Sequence, residues 1–423
     1  MKNLKQKLKL FPITVILFIV LSFFLLIYIG GCSPNIEENK QANIETVMLL
    51  PENSIPFFFQ DLIFINIKVN DSINGNFIFD SGSDQLYLDS LFVAENNIPT
   101  HKRKKKKIRG VGSDTPNVPI SNTIKLELDS LTKIYNNVPI INIRALSNKK
   151  IDGVLGADFF QNKVLKINFD SSYLQIIKPN EFIIPAGFDS LKLFLTENKT
   201  IINCGALIID SLYIEGWTIL DLGSAHALTF TSVIANEYKF NEIIKNKYSV
   251  PRKNAGYGGK SHSYYFRAEN LKMANFTLEK PLLNYSTDKK GALSFWGILG
   301  LLGTKVLKRF DLIFDFPNKK LYLRPNSHFC EHFSSNMTGF YGKLFKSDTC
   351  EGYLIENVIE NSSAHKAGIL AGDIITHLNG LEISSFTSFE RKNLFYQDTL
   401  ELQFIIKRGN VIHNFKMIPQ EIL

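Results

Sequence analysis

The chain contains two copies of one short pattern, and this internal repeat constrains the fold more than any other feature. Residues 75–88 are GNFIFDSGSDQLYL and residues 216–229 are GWTILDLGSAHALT, so the copies lie 141 positions apart. Each is an apolar run that ends in Asp-x-Gly-Ser, which is typical of a buried strand entering a turn. A lone Asp-Ser-Gly indicates a turn and nothing more. Two copies at this distance indicate two related halves.

A second pair of segments repeats at nearly the same interval. Residues 152–160, DGVLGADFF, match residues 296–304, WGILGLLGT, and the first glycines of the two segments lie 144 positions apart. An apolar strand, a turn and another strand follow each segment. The preserved order predicts two homologous β-rich lobes, at 48–180 and 181–328. Heavy use of Phe, with 34 residues, also favours a mainly β fold.

Two strands that each end in Asp-x-Gly allow Asp80 and Asp221 to meet when the lobes pack about a pseudo-twofold axis. Two carboxylates within about 3 Å of each other share a proton, so that one accepts a proton from water while the other donates to a carbonyl oxygen. We therefore predict Asp80 and Asp221 as the catalytic pair. Glycine allows unusual backbone angles in these turns, and neighbouring hydroxyls can hydrogen-bond the carboxylates. The predicted supporting residues are Ser81, Gly82, Ser83, Gly223 and Ser224.

A glycine-rich segment lies between the landmarks of each lobe. Residues 109–113 are RGVGS and residues 255–259 are AGYGG, and apolar alternation follows each of them. This pattern is typical of a hairpin with a mobile tip, which would cover the site and exclude water. The predicted flap residues are Gly110, Gly112, Tyr257 and Gly258.

These residues resemble the two lobes of a retropepsin-like or pepsin-like aspartic protease. The resemblance rests on Asp80-Ser81-Gly82-Ser83 and Asp221-Leu222-Gly223-Ser224, each followed by an apolar-apolar-glycine segment, Val154-Leu155-Gly156 and Ile298-Leu299-Gly300. It implies a bilobal aspartic-protease β fold. It also implies an aspartic endopeptidase that hydrolyses peptide bonds with a water activated by the Asp80/Asp221 dyad, without metal or cofactor.

One position departs from this family. The family has Ser or Thr between Asp and Gly, where the hydroxyl bonds to the opposite lobe; Ser81 fits and Leu222 does not. We therefore expect one cross-lobe hydrogen bond, worth about 1 kcal/mol, to be missing. The alternative function is a catalytically inactive peptide-binding lipoprotein.

From about residue 329 the repeat stops and another pattern begins. Residues 353–380 place a strand, a Ser-Ala helix start, Ala367-Gly368, Gly372-Asp373 and an Asn-Gly turn in the order of a PDZ domain of bacterial periplasmic proteases. The resemblance implies an α+β PDZ domain at 329–423 that binds extended peptide as an added strand. A purely structural cap is the alternative. The predicted groove residues are Tyr341, Gly342, Lys343 and Leu344.

The N-terminus resembles a lipoprotein signal peptide. Four lysines occur in the first ten residues, residues 11–29 carry no charge, and the segment ends in Ile29-Gly30-Gly31-Cys32. This predicts a signal peptide at 1–31, a lipidated Cys32 that anchors the chain to a membrane, and a linker at 32–47. The protein would then lie in the bacterial cell envelope, outside the inner membrane. An uncleaved anchor helix is the alternative.

The net charge of +8 is concentrated in two places. After the signal lysines, the run at 101–109 holds seven more positive charges. No aromatic residue interleaves this run as a nucleic-acid stacking surface requires, so we predict a solvated hairpin tip and no nucleic-acid partner. Lipid or nucleic-acid binding there is a third hypothesis.

The remaining chemistry is sparse. No Cys-x-x-Cys or His-Glu-x-x-His pattern occurs, so no metal site is predicted. A disulfide between Cys330 and Cys350 is left open. The expected partner is a peptide or protein, and a monomer is sufficient because both lobes lie on one chain.

Overall fold

A computed structural model describes residues 50–108, 116–145, 150–196, 199–252, 261–347, 350–396 and 400–423. The predicted signal peptide, the linker and the lipidation site Cys32 lie outside these residues. No helix within the described ranges is long and apolar enough to cross a membrane. The predicted flap residues Gly110, Gly112, Tyr257 and Gly258 also lie outside the described residues.

The first half of the structure, up to residue 177, is built from short strands. Helix α1 begins where the Asp89 carboxylate accepts the N–H groups of Leu91 and Phe92. The elements are β1 (Ser54–Pro56), β2 (Phe58–Gln60), β3 (Leu62–Val69), β4 (Ile73–Asp80), β5 (Tyr87–Asp89), α1 (Ser90–Glu95), β6 (Thr100–Lys107), β7 (Asn117–Ser121), β8 (Ile124–Leu128), β9 (Leu131–Tyr135), β10 (Ile140–Ile141), β11 (Gly153–Gly156), a 3-10 helix (Ala157–Phe160), β12 (Val164–Asn168) and β13 (Tyr173–Ile177).

The second half has the same character. Its elements are a 3-10 helix (Pro179–Glu181), β14 (Asp189–Lys192), β15 (Phe194–Thr196), β16 (Lys199–Ile209), β17 (Leu212–Leu220), β18 (Leu228–Phe230), α2 (Ser232–Glu237), α3 (Phe240–Ile243), β19 (Tyr248–Arg252), β20 (Ser261–Arg267), β21 (Asn270–Met273), β22 (Phe276–Glu279), β23 (Leu282–Ser286), a 3-10 helix (Ala292–Ser294), β24 (Gly300–Leu302), α4 (Thr304–Leu307), β25 (Phe310–Asp315) and β26 (Lys320–Pro325).

The C-terminal region mixes strands with two α-helices among its described residues. Its elements are β27 (Phe340–Ser347), β28 (Cys350–Val358), α5 (Ser363–Lys366), β29 (Ile374–Leu378), β30 (Leu381–Glu382), a 3-10 helix (Ile383–Ser385), α6 (Ser388–Phe395), β31 (Leu402–Arg408) and β32 (Val411–Met417). Strands thus dominate the described chain, and the prediction of a mainly β protein is confirmed.

The two strands that lead into the repeated Asp have equivalent neighbours. Strand β4 pairs in parallel with β11 and antiparallel with β3, and β17 pairs in parallel with β24 and antiparallel with β16. Strands β11 and β24 in turn pair antiparallel with β5 and β18. Phe77 and Phe79 of β4 lie in the main core cluster and Ile78 lies in a second cluster, so both faces of this strand are covered. The strand pairing therefore repeats in the same chain order as the sequence pattern.

A third sheet combines strands from both halves. Its order is β1-β13-β12-β25-β26-β14, and its central contact is the antiparallel pair β12 and β25, with Leu165 opposite Phe314. Both side chains are fully buried in a core cluster that includes residues of both halves. This shared sheet joins the two halves.

The C-terminal sheet has the order β27-β28-β29-β31-β32, with β30 beside β29. It has a separate core cluster around Phe340, Ile375 and Phe404. Arg267 on β20 links this region to the second half, because its guanidinium donates to the carbonyl oxygens of Phe333 and Leu423, each at 3.3 Å.

Candidate functional site

Asp80 and Asp221 stand at the ends of equivalent strands and are held by the same kind of turn. The N–H groups of Gly82 and Ser83 donate to Asp80 Oδ1, at 2.8 Å and 3.0 Å, and the Gly223 N–H donates to Asp221 Oδ1 at 3.0 Å. These bonds exist because the chain turns directly after each carboxylate, which directs amide hydrogens back at its oxygen. Both carboxylates are therefore fixed in orientation by their own backbone.

The structure brings the two carboxylates together. A Cβ atom added to Gly223 would lie 2.4 Å from Asp80 Cγ, and one added to Gly82 would lie 2.9 Å from Asp221 Cγ. Each turn glycine thus provides the space that the opposite carboxylate occupies. The carboxyl groups of Asp80 and Asp221 therefore lie close to each other, and each affects the pKa of the other. A hydrogen bond between them requires a proton, since two ionised carboxylates have no donor to share.

Burial and mutual repulsion favour retention of that proton. Burial raises the pKa of Asp80, and hydrogen bonds from the Gly82 N–H and from Asp221 oppose the rise. Burial, followed by the charge of Asp80, raises the pKa of Asp221 well above its usual value of 3.8. The two groups titrate as a pair, so the pair keeps one proton to a higher pH than an isolated aspartate would.

Ser81 connects the two turns. Its hydroxyl donates to the carbonyl oxygen of Leu220 at 2.8 Å and accepts the N–H of Leu222 at 3.1 Å. Ser81 and Leu222 are both fully buried. A single side chain of the first turn therefore satisfies two backbone groups of the second turn, which aligns Asp221 against Asp80.

A threonine on a neighbouring strand supplies a second hydrogen-bonding hydroxyl between the two turns. Leu222 has no hydroxyl and makes no such bond, as expected, but another side chain supplies a hydrogen bond between the turns. Thr200 on β16 directs its hydroxyl at the Ser81 carbonyl oxygen, at 3.0 Å, and at the Leu220 carbonyl oxygen, at 3.2 Å. Strand pairing, rather than the local motif, brings this hydroxyl to the turn. A single Thr in an apolar strand offered no local signal of that role.

The other predicted supporting residues have separate roles. Ser83 Oγ donates to the Gln85 carbonyl oxygen at 2.9 Å, and the Ser224 N–H donates to the Asp221 carbonyl oxygen at 3.1 Å. These bonds stabilise the turns, and neither serine hydroxyl is shown bonding to a carboxylate of the pair.

A polar network borders the site on the side of the first turn. The Gln85 side-chain amide donates to the Tyr87 hydroxyl at 2.9 Å, and that hydroxyl donates to Asp84 at 3.3 Å. Lys106 of β6 donates to Gln85 Oε1. Burial, together with the charges of Asp84 and Asp80, raises the pKa of Tyr87. Strand β6 is therefore tied to the loop that begins at Asp80.

The predicted groove residues Tyr341, Gly342, Lys343 and Leu344 all lie on β27, which has a strand neighbour, β28, on one side only within the described sheet. Leu344 is 39% exposed, and Lys343 forms an ion pair with Glu356 at 2.9 Å. Tyr341 differs from the other three. Burial and the neighbouring Tyr248 raise its pKa well above the usual range. Its side chain therefore packs against the second half.

The described residues contain no group of three or more His, Cys, Asp or Glu side chains that could hold a metal ion. Cys350 is a free thiol, and so is the buried Cys204. The disulfide between Cys330 and Cys350 that the sequence left open is therefore not formed.

Comparison with known proteins identifies the C-terminal region. A family model of the PDZ domain matches residues 332–418. The chain is 54% identical over 46 residues to the periplasmic serine endoprotease DegP of Escherichia coli (strain K12), which is 11% of this chain and 10% of that protein. It is 36% identical over 75 residues to a probable periplasmic serine protease do/HhoA-like of Haemophilus influenzae, which is 18% of this chain and 16% of that protein.

These comparisons contradict the prediction of an aspartic endopeptidase. The similar proteins are named serine proteases, and no aspartic protease family is among the matches. The assignment as a retropepsin-like aspartyl protease is therefore wrong on these comparisons. Its physical weakness is that paired Asp-x-Gly turns specify a geometry, and a geometry alone does not specify a reaction class.

The chain spans only 10% and 16% of the length of these relatives, so the similarity concerns a small part of each protein. What it establishes is a C-terminal PDZ domain, over residues 332–418, in a chain that is similar in part to periplasmic serine endoproteases.

Proposed function

We propose that this chain is a peptide-binding protein of the bacterial cell envelope, in which the PDZ domain captures extended peptide and the carboxylate pair binds its backbone. The observation that carries the proposal is the PDZ domain at 332–418, whose strand β27 ends its described sheet. PDZ domains bind peptide as an added strand, with main-chain hydrogen bonds for affinity and side-chain pockets for preference. Exposed Leu344 lies on that strand and supplies an apolar contact.

The carboxylate pair supplies the second contact. With one proton shared, the protonated carboxyl donates to a peptide carbonyl oxygen, and its ionised partner accepts from a water or an amide N–H. Asp80 and Asp221 are therefore the groups proposed to contact the peptide backbone. The turn residues Ser81, Gly82, Ser83, Gly223 and Ser224 are proposed to hold them. The segments around Gly110, Gly112, Tyr257 and Gly258 are proposed to cover the bound chain.

The wider organisation belongs to the same proposal. Halves at 48–180 and 181–328 form a bilobal β structure, the signal peptide at 1–31 directs export, and Cys32 carries the lipid anchor. The names of the relatives support a periplasmic setting linked to protein degradation. We do not propose the serine-protease mechanism of these relatives for this chain. Ser261 is followed directly by His262, but Ser261 Oγ donates to Asp288 at 2.6 Å, so its hydroxyl is directed at a carboxylate instead of at an activating imidazole.

The test measures peptide retention and peptide cleavage in the same samples of chain 33–423. Leu344→Glu places a charge in the PDZ groove and is expected to weaken retention about tenfold. Retention at the carboxylate pair is expected to fall as pH rises, because the shared proton is lost. Asp221→Asn keeps a hydrogen-bond donor at every pH and is expected to abolish this dependence. Asp210→Asn, at an exposed turn, is the control.

Unchanged retention in Leu344→Glu would contradict the PDZ groove as the capture site. The same pH profile in Asp221→Asn and in the unchanged chain would contradict the role of the pair. Cleavage of the retained peptide that is lost in both Asp80→Asn and Asp221→Asn would contradict a purely binding role for the pair.

A further inference from the structure

The hairpin of β6 and β7 carries an unusual concentration of positive charge. Six consecutive residues of β6, Lys102 to Lys107, are all Lys or Arg, and all six are exposed. None of the ion pairs formed between described residues involves any of them; the ion pairs of this half use Lys68, Lys125, Lys133 and Arg144 instead. The charge on this hairpin is thus not neutralised by the described part of the chain.

The register of the hairpin shows which way it faces. Lys106 is opposite Val118, so their side chains are on the same face, and Val118 is buried in a small cluster with Phe64 and Ile78. Lys106 Nζ on that face donates to the Gln85 side chain. Gln85 lies five residues after Asp80. The hairpin is therefore joined through Lys106 to the loop that begins at Asp80, and this places Lys106 at the border of the site.

This arrangement carries an electrostatic cost that a suitable ligand removes. Side chains two positions apart on one face of a strand are about 7 Å apart, which is within the Debye length of about 8 Å at physiological ionic strength. The six cations therefore repel one another in the free protein. A bound segment with carboxylate side chains relieves this repulsion and is attracted over the same range.

We propose that the β6–β7 hairpin is a specificity surface that selects acidic peptides, with Asp or Glu side chains next to the segment held at the carboxylate pair. The proposal rests on the proposed peptide-binding function and names the class of peptide. The hairpin adjoins a peptide-binding site, and this placement favours a peptide over a free anionic surface. Nucleic acid is disfavoured because residues 102–107 contain no aromatic side chain for base stacking.

The test compares two extended peptides of equal length that differ only in four Glu or four Gln residues beside a common central segment. The hairpin variant is Lys102→Gln, Lys104→Gln, Lys105→Gln. Lys106 is kept because it positions the hairpin through Gln85. The matched control removes three exposed lysines elsewhere, Lys245→Gln, Lys320→Gln and Lys366→Gln, which lowers the net charge by the same amount.

We expect the unchanged chain to bind the Glu peptide about tenfold more tightly than the Gln peptide at low salt, as several exposed charge pairs acting together would give. This preference should disappear in the hairpin variant, persist in the control variant and shrink as salt is added. An equal preference in the hairpin and control variants would overturn the proposal. So would a hairpin effect on phosphatidylglycerol vesicles without any preference for the Glu peptide, because the hairpin would then face a membrane.

The outcome is separable from the proposed function. If the Gln peptide is retained and its retention still depends on Leu344, peptide binding stands even where the acidic preference fails. If neither peptide is retained, the peptide-binding function itself fails.

Discussion

Thr200→Val is the most direct test of how the carboxylate pair is aligned. Valine has nearly the shape of threonine, so packing is preserved while the hydroxyl is lost. Thr200 is fully buried, and its hydroxyl is shared between the carbonyl oxygens of Ser81, at 3.0 Å, and Leu220, at 3.2 Å. After the substitution Leu220 keeps the Ser81 hydroxyl at 2.8 Å, but the buried Ser81 carbonyl loses its donor from Thr200. An unsatisfied buried polar group costs about 1–3 kcal/mol.

We therefore expect the free energy of unfolding of Thr200→Val to fall by about 1–3 kcal/mol in urea denaturation. Thr229→Val is the control, because Thr229 is also a buried threonine but bonds to Asn284, within its own half. Both variants should lose stability. Only Thr200→Val should also change the pH dependence of peptide retention, because only the Thr200 hydroxyl, and not that of Thr229, bonds to the turns of the carboxylate pair.

A double substitution sharpens the argument. In Ser81→Ala the Leu220 carbonyl still has Thr200 as a donor, so each single variant leaves that carbonyl satisfied. In the double variant it loses both donors, and the combined cost should exceed the sum of the single costs by about 1 kcal/mol. Additive costs, or a Thr200→Val variant as stable as the unchanged chain, would show that the Thr200 hydroxyl does not support the turns.

Three further outcomes are expected. Asp221→Asn should be more stable than the unchanged chain at neutral pH, and the difference should vanish as the pH falls towards 3.8. Burial raises the pKa of Asp221 in the folded state, so its ionisation destabilises the fold above pH 3.8, and asparagine cannot ionise. Urea denaturation at several pH values checks this. Gly223→Ala should cost about 1–3 kcal/mol and abolish the pH dependence of peptide retention, because its Cβ would lie 2.4 Å from Asp80 Cγ. Arg267→Ala should loosen the C-terminal residues and speed their amide hydrogen exchange. Arg324→Ala, which removes an ion pair with Asp311 inside the second half, should not.

The sequence repeat predicted the equivalent strands correctly, because the formation of a strand and of the turn after it depends on the local sequence. An apolar run that ends in Asp-x-Gly predicts a buried strand and a turn, and the structure places Asp80 and Asp221 at equivalent ends. The spacing of the second landmarks anticipated β11 and β24, which pair in parallel with the strands before each Asp. The repeated segments of the sequence therefore predicted which strands occupy equivalent positions in the two halves.

Contacts made between distant segments could not be predicted in this way. Thr200 is more than a hundred positions from Ser81, and only the pairing of β16 with β17 brings its hydroxyl to the turn. Tyr341 was predicted in a peptide groove, and it is partly buried with Tyr248 of β19 as a neighbour, a contact between distant segments that the sequence did not indicate. The repeated sequence pattern also failed to predict the reaction class, since the comparisons with serine proteases contradict the aspartic-type prediction.

The sheet shared by the two halves has a consequence for how the protein reaches its native state. Leu165 and Phe314 pair directly although they lie 149 positions apart, so β12 has no partner for its second edge until β25 has been synthesised. Closing so long a loop is slow, and an open apolar strand edge is prone to aggregation while it waits. The half at 48–180, produced alone, should therefore aggregate instead of folding. Any chaperone that assists this chain would act most usefully in the interval before β12 and β25 meet.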